Sequence, residues 1–261
     1  GLMAVSGIGG GVDADKSEEV QLVPGACLVV PLVTGDIAIE VIGTVTEVAG
    51  DMVYGFGHSF LGYGPIDLPM ATGQVHTVVS RLNRSFKFAS AIEIVGALTT
   101  DEATAVCGRI GAKARMFPLT IRIDRYNDPE QRVYNCRVAD NRLLTPLVLR
   151  FAVAGAALCL GSLPPDHMIE YKVTIGIEDA ESITFENVST AVGLSELIME
   201  SVGSVAILLN NPYKKVDIQS IDFDVRIKPK NVVSHIWSLD LSDSTVKAEQ
   251  YLANEHIFAM A

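Results

Sequence analysis

Residues 28–56 alternate between apolar and polar side chains in short runs, which are separated by glycine and aspartate. The runs cover residues 28–33, 37–42, 44–48 and 52–56. Alternation with a period of two places every second side chain on one face, so each run predicts a strand with one buried face. Turns this short favour an antiparallel sheet or barrel.

Five later runs also predict strands, at residues 74–82, 119–123, 133–138, 171–177 and 221–227. In the first of them we expect Val75, Val78 and Val79 to be the buried residues. The alternation shifts by one residue between Ile218 and Ile221, which predicts a bulge. The pattern of the whole chain therefore predicts a mainly β fold.

Two segments have helical rather than strand-like spacing. The apolar segment 143–163 contains Pro146, Arg150 and two glycines, which disfavours a membrane-spanning helix and favours a helix docked on the core. Thr145 is its predicted N-cap, with Pro146 in the first position. Between residues 194 and 209 apolar side chains recur every three or four positions, which predicts an amphipathic helix that ends at Asn210.

The length of 261 residues is enough for two modest domains. Residues 1–19 are glycine-rich and then charged, which is typical of a flexible lead-in. Residues 20–163 are predicted to form a β domain that carries the docked helix. Pro164, Pro165 and Asp166 mark the predicted boundary, and residues 164–261 form a smaller β-rich domain with one amphipathic helix.

The composition narrows the class of protein. Hydrophobic residues make up 49% and charged residues 20%, which is typical of a folded chain. The net charge is −11, and the densest basic pair, Lys214 and Lys215, is close to Asp217, so we expect no nucleic acid partner. No signal peptide is visible at the start of this sequence.

The four cysteines are far apart and have no histidine at a ligand spacing. We therefore expect no zinc site, no other metal and no organic cofactor. Cys27 and Cys159 lie in apolar runs, which favours small buried thiols. Two disulfides are the alternative if the protein is exported.

A histidine marks the point where the strand at 52–56 becomes a glycine-rich loop. His58 stands between Gly57 and Ser59, and further glycines follow at 62 and 64. Loops held by a rigid sheet often carry reactive side chains, and glycine lets a substrate approach closely. The structural alternative is a tight turn in which the imidazole binds a carbonyl. His76, inside a predicted strand, is interpreted as structural.

Six short motifs follow one another between residues 33 and 96. They are Val33-Thr34-Gly35-Asp36, Gly43-Thr44-Val45-Thr46, Gly55-Phe56-Gly57-His58, Asp67-Leu68-Pro69-Met70, Ser85-Phe86-Lys87 and Val95-Gly96. In this order they resemble the SpoIVB-type serine peptidase family, in its secreted and envelope-associated branch, over roughly residues 20–160. The resemblance implies a chymotrypsin-like sheet or barrel, a protein or peptide substrate, a secreted or envelope location, and His58 as catalytic general base.

The chain departs from the family pattern at the nucleophile. The family serine lies in a Gly-x-Ser-Gly-Ser-Pro motif upstream of the histidine, and these 261 residues contain no such motif. Ser6 and Ser204 are the nearest candidates, but neither is on a predicted tight turn. The residue after the histidine is usually proline in the family and is Ser59 here. For the carboxylate that orients the imidazole we name Asp67 first and Asp36 second.

Two hypotheses follow. In the first, the chain is the histidine-bearing part of a SpoIVB-like serine endopeptidase, inactive alone, whose serine lies on an upstream segment or a second chain. In the second, it is a non-catalytic structural or interaction protein of an envelope or extracellular assembly that keeps the peptidase-like fold. Exposed sheet edges would then pair with other chains, including copies of itself as a homo-oligomer.

Overall fold

The computed structural model describes residues 21–80, 85–190 and 193–230. This part of the chain contains eleven strands in one sheet and two helices, which confirms the mainly β prediction. The strands are β1 (Cys27–Gly35), β2 (Ile39–Ala49), β3 (Met52–Gly55), β4 (Gly64–Val79), β5 (Phe86–Asp101), β6 (Val106–Ile110), β7 (Met116–Arg125), β8 (Arg132–Ala139), β9 (Met168–Ile177), β10 (Ile183–Ser189) and β11 (Ile218–Lys228), and the helices are α1 (Leu144–Leu158) and α2 (Ser195–Leu209). The predicted lead-in 1–19, with Ser6, lies outside the described residues.

The first six strands close into an antiparallel barrel. They are paired in the order β1, β2, β3, β6, β5, β4, and β4 returns to β1 at the pairs Leu28–Thr72 and Val29–Ala71. Each strand contributes apolar side chains to one core, among them Leu28, Val45, Val53, Leu68, Leu98 and Val106. These side chains fill the barrel interior. On the other face of β1 and β4, Cys27, Val29 and Ala71 form a second, smaller buried cluster.

The end of β1 leaves the barrel and joins a second group of strands. Residues Val33–Gly35 pair with β8, and the order continues β7, β11, β9, β10. β11 is parallel to β7, whereas its pairing with β9 is antiparallel. The predicted boundary at 163–164 falls inside this group, because β7 and β8 precede it and β9 to β11 follow it.

Both helices contact this second group of strands and each other. α2 ends at Leu209, directly before Asn210, as predicted. The predicted N-cap of α1 is wrong: the helix begins at Leu144, and Thr145 lies buried in its first turn, where its hydroxyl donates to Ala139 O at 2.8 Å. Asn141 Oδ1 instead accepts the N–H groups at 143 and 144. Within the described residues, neither helix is long and apolar enough to cross a membrane.

Three strand predictions change in the structure. Residues 39–42 and the run 44–48 belong to the single strand β2, because Gly43 makes room for a neighbouring ring and does not form a turn. β4 and β5 are each 16 residues long, and the segment before residue 74 is strand as well. The predicted bulge is confirmed as a register shift between Ile218 and Ser220.

The valines predicted to be buried in the 74–82 strand are exposed. Val75 is 40%, Val78 55% and Val79 37% accessible. β1 pairs with β4 only at residues 71 and 72 of β4. β6 pairs with β5 only from residue 96 of β5 onward. The outer parts of β4 and β5 therefore pair mainly with each other. We call residues 73–79 and 86–94 the β4–β5 ribbon.

One arginine connects the barrel to the second group of strands. The Arg115 N–H donates to Asp67 Oδ2 at 3.0 Å, and its side chain binds Asp140 at 3.2 Å, Glu178 at 3.4 Å and Asp217. Burial raises the pKa of the Asp140 carboxyl, and the Arg115 charge opposes that rise. Asp67 thus takes part in a structural junction.

Candidate functional site

His58 lies on the loop between β3 and β4, and its side chain is exposed. The loop leaves β3 through two consecutive left-handed residues, Phe56 at φ 70° and Gly57 at φ 69°. The Phe56 N–H still donates to Thr44 O at 2.9 Å, so the turn starts directly at the barrel. A left-handed conformation is unfavourable for a bulky residue such as Phe56, and such strain persists only where surrounding contacts impose it.

The Phe56 ring is the packing contact that holds this turn. It lies against Gly43 of β2, where a Cβ would be only 2.0 Å from a ring carbon. The ring contacts Phe60 edge-on, with centroids 5.9 Å apart, and the His58 imidazole at the same centroid distance. The imidazole therefore stands at the edge of a small aromatic cluster that packs against the main core.

A backbone carbonyl fixes which imidazole nitrogen carries the proton. His58 Nδ1 is 2.6 Å from Ser59 O. A carbonyl oxygen only accepts, so in the neutral ring Nδ1 must be the donor and Nε2 keeps its lone pair. Among the described residues the structure shows no hydrogen bond to Nε2. This tautomer suits a general base. The same contact is also the one that the structural alternative predicts, a tight turn in which the imidazole binds a carbonyl.

A buried carboxylate holds the turn that follows His58. Asp101, the last residue of β5, is fully buried. Its Oδ1 accepts the Phe60 N–H at 2.7 Å, and its Oδ2 accepts the N–H groups of Leu61 and Gly62, the latter at 2.7 Å. The sequence reasoning did not select Asp101. The signal in the sequence is the segment Leu98-Thr99-Thr100-Asp101-Glu102, which resembles an acidic turn of the SpoIVB-type pattern but gives Asp101 no role by itself.

The two aspartates that the sequence reasoning did select are bonded elsewhere. Asp67 Oδ2 accepts the Arg115 N–H at 3.0 Å, and Asp36 Oδ2 accepts the Asn135 N–H at 2.7 Å. Asp36 thereby ties the end of β1 to β8. Between either carboxylate and His58, the described part of the chain shows no hydrogen bond or ion pair. The structure thus brings His58 together with the turn that Asp101 holds, and not with Asp67 or Asp36.

No serine hydroxyl is bonded to His58 Nε2 within the described residues. Ser204 lies inside α2, where its hydroxyl donates to Glu200 O at 2.6 Å. His76 Nε2 is 2.8 Å from Ser90 Oγ, but both residues lie on the paired strands of the β4–β5 ribbon. Ser90 is therefore on an extended strand rather than on a tight turn that presents oxyanion donors, which agrees with a structural role for His76.

The cysteines are four free thiols in this structure. Cys27 and Cys136 are buried, and burial raises the pKa of both. Cys159, which the sequence placed among buried thiols, is exposed because α1 ends one residue before it; its Sγ is 2.9 Å from Tyr134 OH. In residues 21–80, 85–190 and 193–230 no group of three or more His, Cys, Asp or Glu side chains is arranged to hold a metal ion.

Comparison with known proteins returns no matching protein-family model, no matching curated protein and no matching solved structure.

Proposed function

We propose that this chain is the histidine-bearing part of a SpoIVB-like serine endopeptidase that acts outside the cytoplasm or in the cell envelope. His58 is the general base, and the nucleophilic serine lies upstream of this chain or on a separate one. The observation that carries the proposal is the exposed imidazole at the barrel rim, with Nδ1 bonded to Ser59 O and Nε2 without a hydrogen bond to the residues that the structure describes. The closed antiparallel barrel supports a chymotrypsin-like architecture for this part.

The chemistry follows from the open nitrogen. A serine hydroxyl that reaches Nε2 gives its proton to His58 while its oxygen attacks the carbonyl carbon of the substrate peptide bond. The imidazolium then returns that proton to the leaving amine, which leaves an acyl-serine. A water molecule then reacts in the same way. It loses a proton to Nε2 and attacks the ester carbon, and His58 returns that proton to the serine oxygen as the acyl group leaves. General base catalysis of this kind contributes about 10²–10⁴-fold to the rate.

Ser59 O has a defined part in these steps. It accepts a hydrogen bond from the Nδ1–H group both before and after the serine proton moves to Nε2. The hydrogen bond therefore keeps the ring oriented and stabilises the imidazolium when that cation forms. A neutral carbonyl stabilises a cation less than a carboxylate does, because only a dipole faces it. The source of any further negative charge near this ring is therefore a central question for the proposed site.

Labelling of serine with a fluorophosphonate tests the proposal. The samples are this chain and the longest polypeptide encoded in frame upstream of and through it, each as wild type, His58→Gln and His76→Gln. We expect the longer polypeptide to react, His58→Gln to abolish the reaction and His76→Gln to preserve it, with no reaction of this chain alone. A longer polypeptide that does not react contradicts an upstream serine. One that reacts equally with His58→Gln contradicts the role of His58.

The interaction-protein hypothesis is the second candidate, and the β4–β5 ribbon favours it. Six apolar side chains of the ribbon are 37–55% exposed: Val75, Val78, Val79, Phe88, Ile92 and Ile94. An apolar surface on two paired strands is typical of a protein-binding site.

Analytical ultracentrifugation of wild type and Val78→Lys tests this hypothesis, with Val23→Lys as the control at another exposed valine. If the chain is an assembly subunit, Val78→Lys reduces self-association while Val23→Lys does not. A wild-type monomer at all concentrations contradicts self-assembly.

A further inference from the structure

One peptide group connects Asp101 to His58. The Phe60 N–H donates to Asp101 Oδ1 at 2.7 Å, and the Ser59 carbonyl lies 2.6 Å from His58 Nδ1. That N–H and that carbonyl belong to the same peptide unit, which is planar and rigid. The atoms therefore form a continuous chain: carboxylate, peptide N–H, peptide carbonyl, imidazole N–H.

We propose that Asp101 is the positioning carboxylate of His58 and acts through the Ser59–Phe60 peptide group instead of by direct contact with the ring. The proposal rests on the proposed function of His58 as general base, but its structural part does not require catalysis. Asp101 takes the place that the sequence reasoning gave to Asp67 and Asp36. It is a positioning residue, because it acts through another group.

Burial and hydrogen bonding make Asp101 suited to this part. Its side chain is fully buried, and it receives three N–H groups from consecutive residues, Phe60 to Gly62. Hydrogen bonds to a carboxylate are shorter and stronger than those between neutral groups. Among the described residues, Asp101 forms no ion pair with Lys, Arg or His, so the backbone alone compensates it. Removing this acceptor leaves three amides of one turn without their partner.

The connection has two effects on the imidazole. The first is geometric: the carboxylate fixes the plane of the Ser59–Phe60 peptide, so the carbonyl stays in line with Nδ1. The second is electronic: a negative charge at the N–H end polarises the peptide group and makes its carbonyl a better acceptor. Both effects favour the tautomer with the proton on Nδ1 and the lone pair on Nε2.

The test measures that tautomer directly by ¹⁵N NMR of the histidine ring in this chain, at a pH where the ring is neutral. The variants are Asp101→Asn, with Asp67→Asn and Asp36→Asn as matched controls. We expect wild type and both controls to have Nδ1 protonated. We expect Asp101→Asn to shift His58 toward a mixture of tautomers, because an amide offers one acceptor oxygen and presents an N–H₂ group to the turn.

The outcomes are distinguishable. A wild-type His58 protonated on Nε2, or an Asp101→Asn variant that folds and keeps the wild-type tautomer, overturns the proposal. If Asp101→Asn does not fold, two measurements on the wild type test the proposal instead: the His58 tautomer and the hydrogen exchange of the Phe60, Leu61 and Gly62 amides. We expect these amides to exchange slowly, and fast exchange would overturn the proposal. In the longer polypeptide, Asp101→Asn should reduce the labelling rate by about 10²-fold or more. Absence of labelling in wild type contradicts an upstream serine and does not change the NMR result.

Discussion

The rim loop of the barrel and the C-terminal end of α1 hold a buried charge in opposite ways. At the rim, the Asp101 carboxylate receives three backbone N–H groups. At the end of α1, Arg125 is 2% exposed and donates to three backbone carbonyls, Ala157 at 2.8 Å, Gly161 at 3.0 Å and Ser162 at 2.6 Å. Within the described residues, no side chain of opposite charge pairs with either group. Backbone dipoles compensate both charges.

The difference between the two regions lies in what each charge organises. Arg125 binds carbonyls at a helix end, where such groups lack partners and the helix dipole is negative, so it stabilises a structural element. Asp101 binds the N–H groups of a turn that continues directly into the carbonyl beside His58. The same kind of compensation serves stability in one place and the geometry of a candidate site in the other.

The largest expected effect on the free energy of unfolding comes from replacing Arg125. Arg125→Met keeps much of the volume but removes three hydrogen bonds from a charged donor, so we expect a loss of about 3 kcal/mol in the free energy of unfolding. Urea denaturation measures it. Arg226→Met is the control, because Arg226 is 60% exposed, and should cost less than about 1 kcal/mol. Equal losses for the two variants would show that the buried hydrogen bonds of Arg125 to carbonyls stabilise the fold no more than the exposed contacts of Arg226 do.

A smaller effect is expected where packing, rather than charge, holds the rim loop. Gly43→Ala places a Cβ about where the Phe56 ring lies and should cost about 1–3 kcal/mol, with displacement of the His58 loop. Gly155→Ala in α1 is the matched control, because nothing lies within 4 Å of its added Cβ. The control should be stabilising by about 0.5–1 kcal/mol. Thermal unfolding of both variants measures the signs, and a neutral Gly43→Ala would mean that the ring contact does not hold the loop.

A pH effect is expected beside the end of α1, where Tyr134 OH is 2.9 Å from Cys159 Sγ. Burial and the contact with Cys159 raise the pKa of Tyr134 to about 12 from its ordinary value of 10.0. The folded state then keeps a proton that the unfolded state has lost, so this contribution to stability is complete below pH 10.0 and decreases as pH rises to about 12.

Ultraviolet titration of the phenol groups measures the Tyr134 pKa. In Cys159→Ala that pKa should fall but stay above its ordinary value, because burial is the larger cause. An unchanged titration would show that the thiol makes no contribution, and a return to the ordinary value would contradict the role of burial.

The smallest effect is expected for an exposed ion pair on the barrel. Arg109 and Asp51 are 3.3 Å apart, and their side chains are 59% and 61% exposed. Water screens such a pair, so Arg109→Gln should change the free energy of unfolding by no more than about 1 kcal/mol. Equilibrium denaturation in low and high salt measures it. A loss as large as that of Arg125→Met would show that exposed ion pairs stabilise this protein as much as buried charges bonded to the backbone do.

Local patterns predicted much of the fold. Alternation placed β1, β2, β3 and the last part of β4 in the barrel but not β5 or β6. Helical spacing placed the end of α2, and the broken alternation near Ile218 marked a bulge. Each of these depends on neighbours within a few residues, which is the range over which periodicity and turn chemistry act. The same reasoning failed for Thr145, where Asn141 bonds the first N–H groups, and for Val75, Val78 and Val79, which alternate like core residues but lie on the ribbon.

The sequence by itself determined that a histidine leaves a strand into a glycine-rich loop, because glycine and alternation are local signals. Only the tertiary structure decided which carboxylate serves that loop. Asp101 is about 40 residues from the turn it binds, and it arrives there because β5 pairs with both β4 and β6 in the barrel. Asp67 is nine residues from His58 in sequence, yet its Oδ2 accepts the Arg115 N–H at the junction with the second group of strands. Proximity along the chain favours a partner, but the closure of the sheet determines which groups meet.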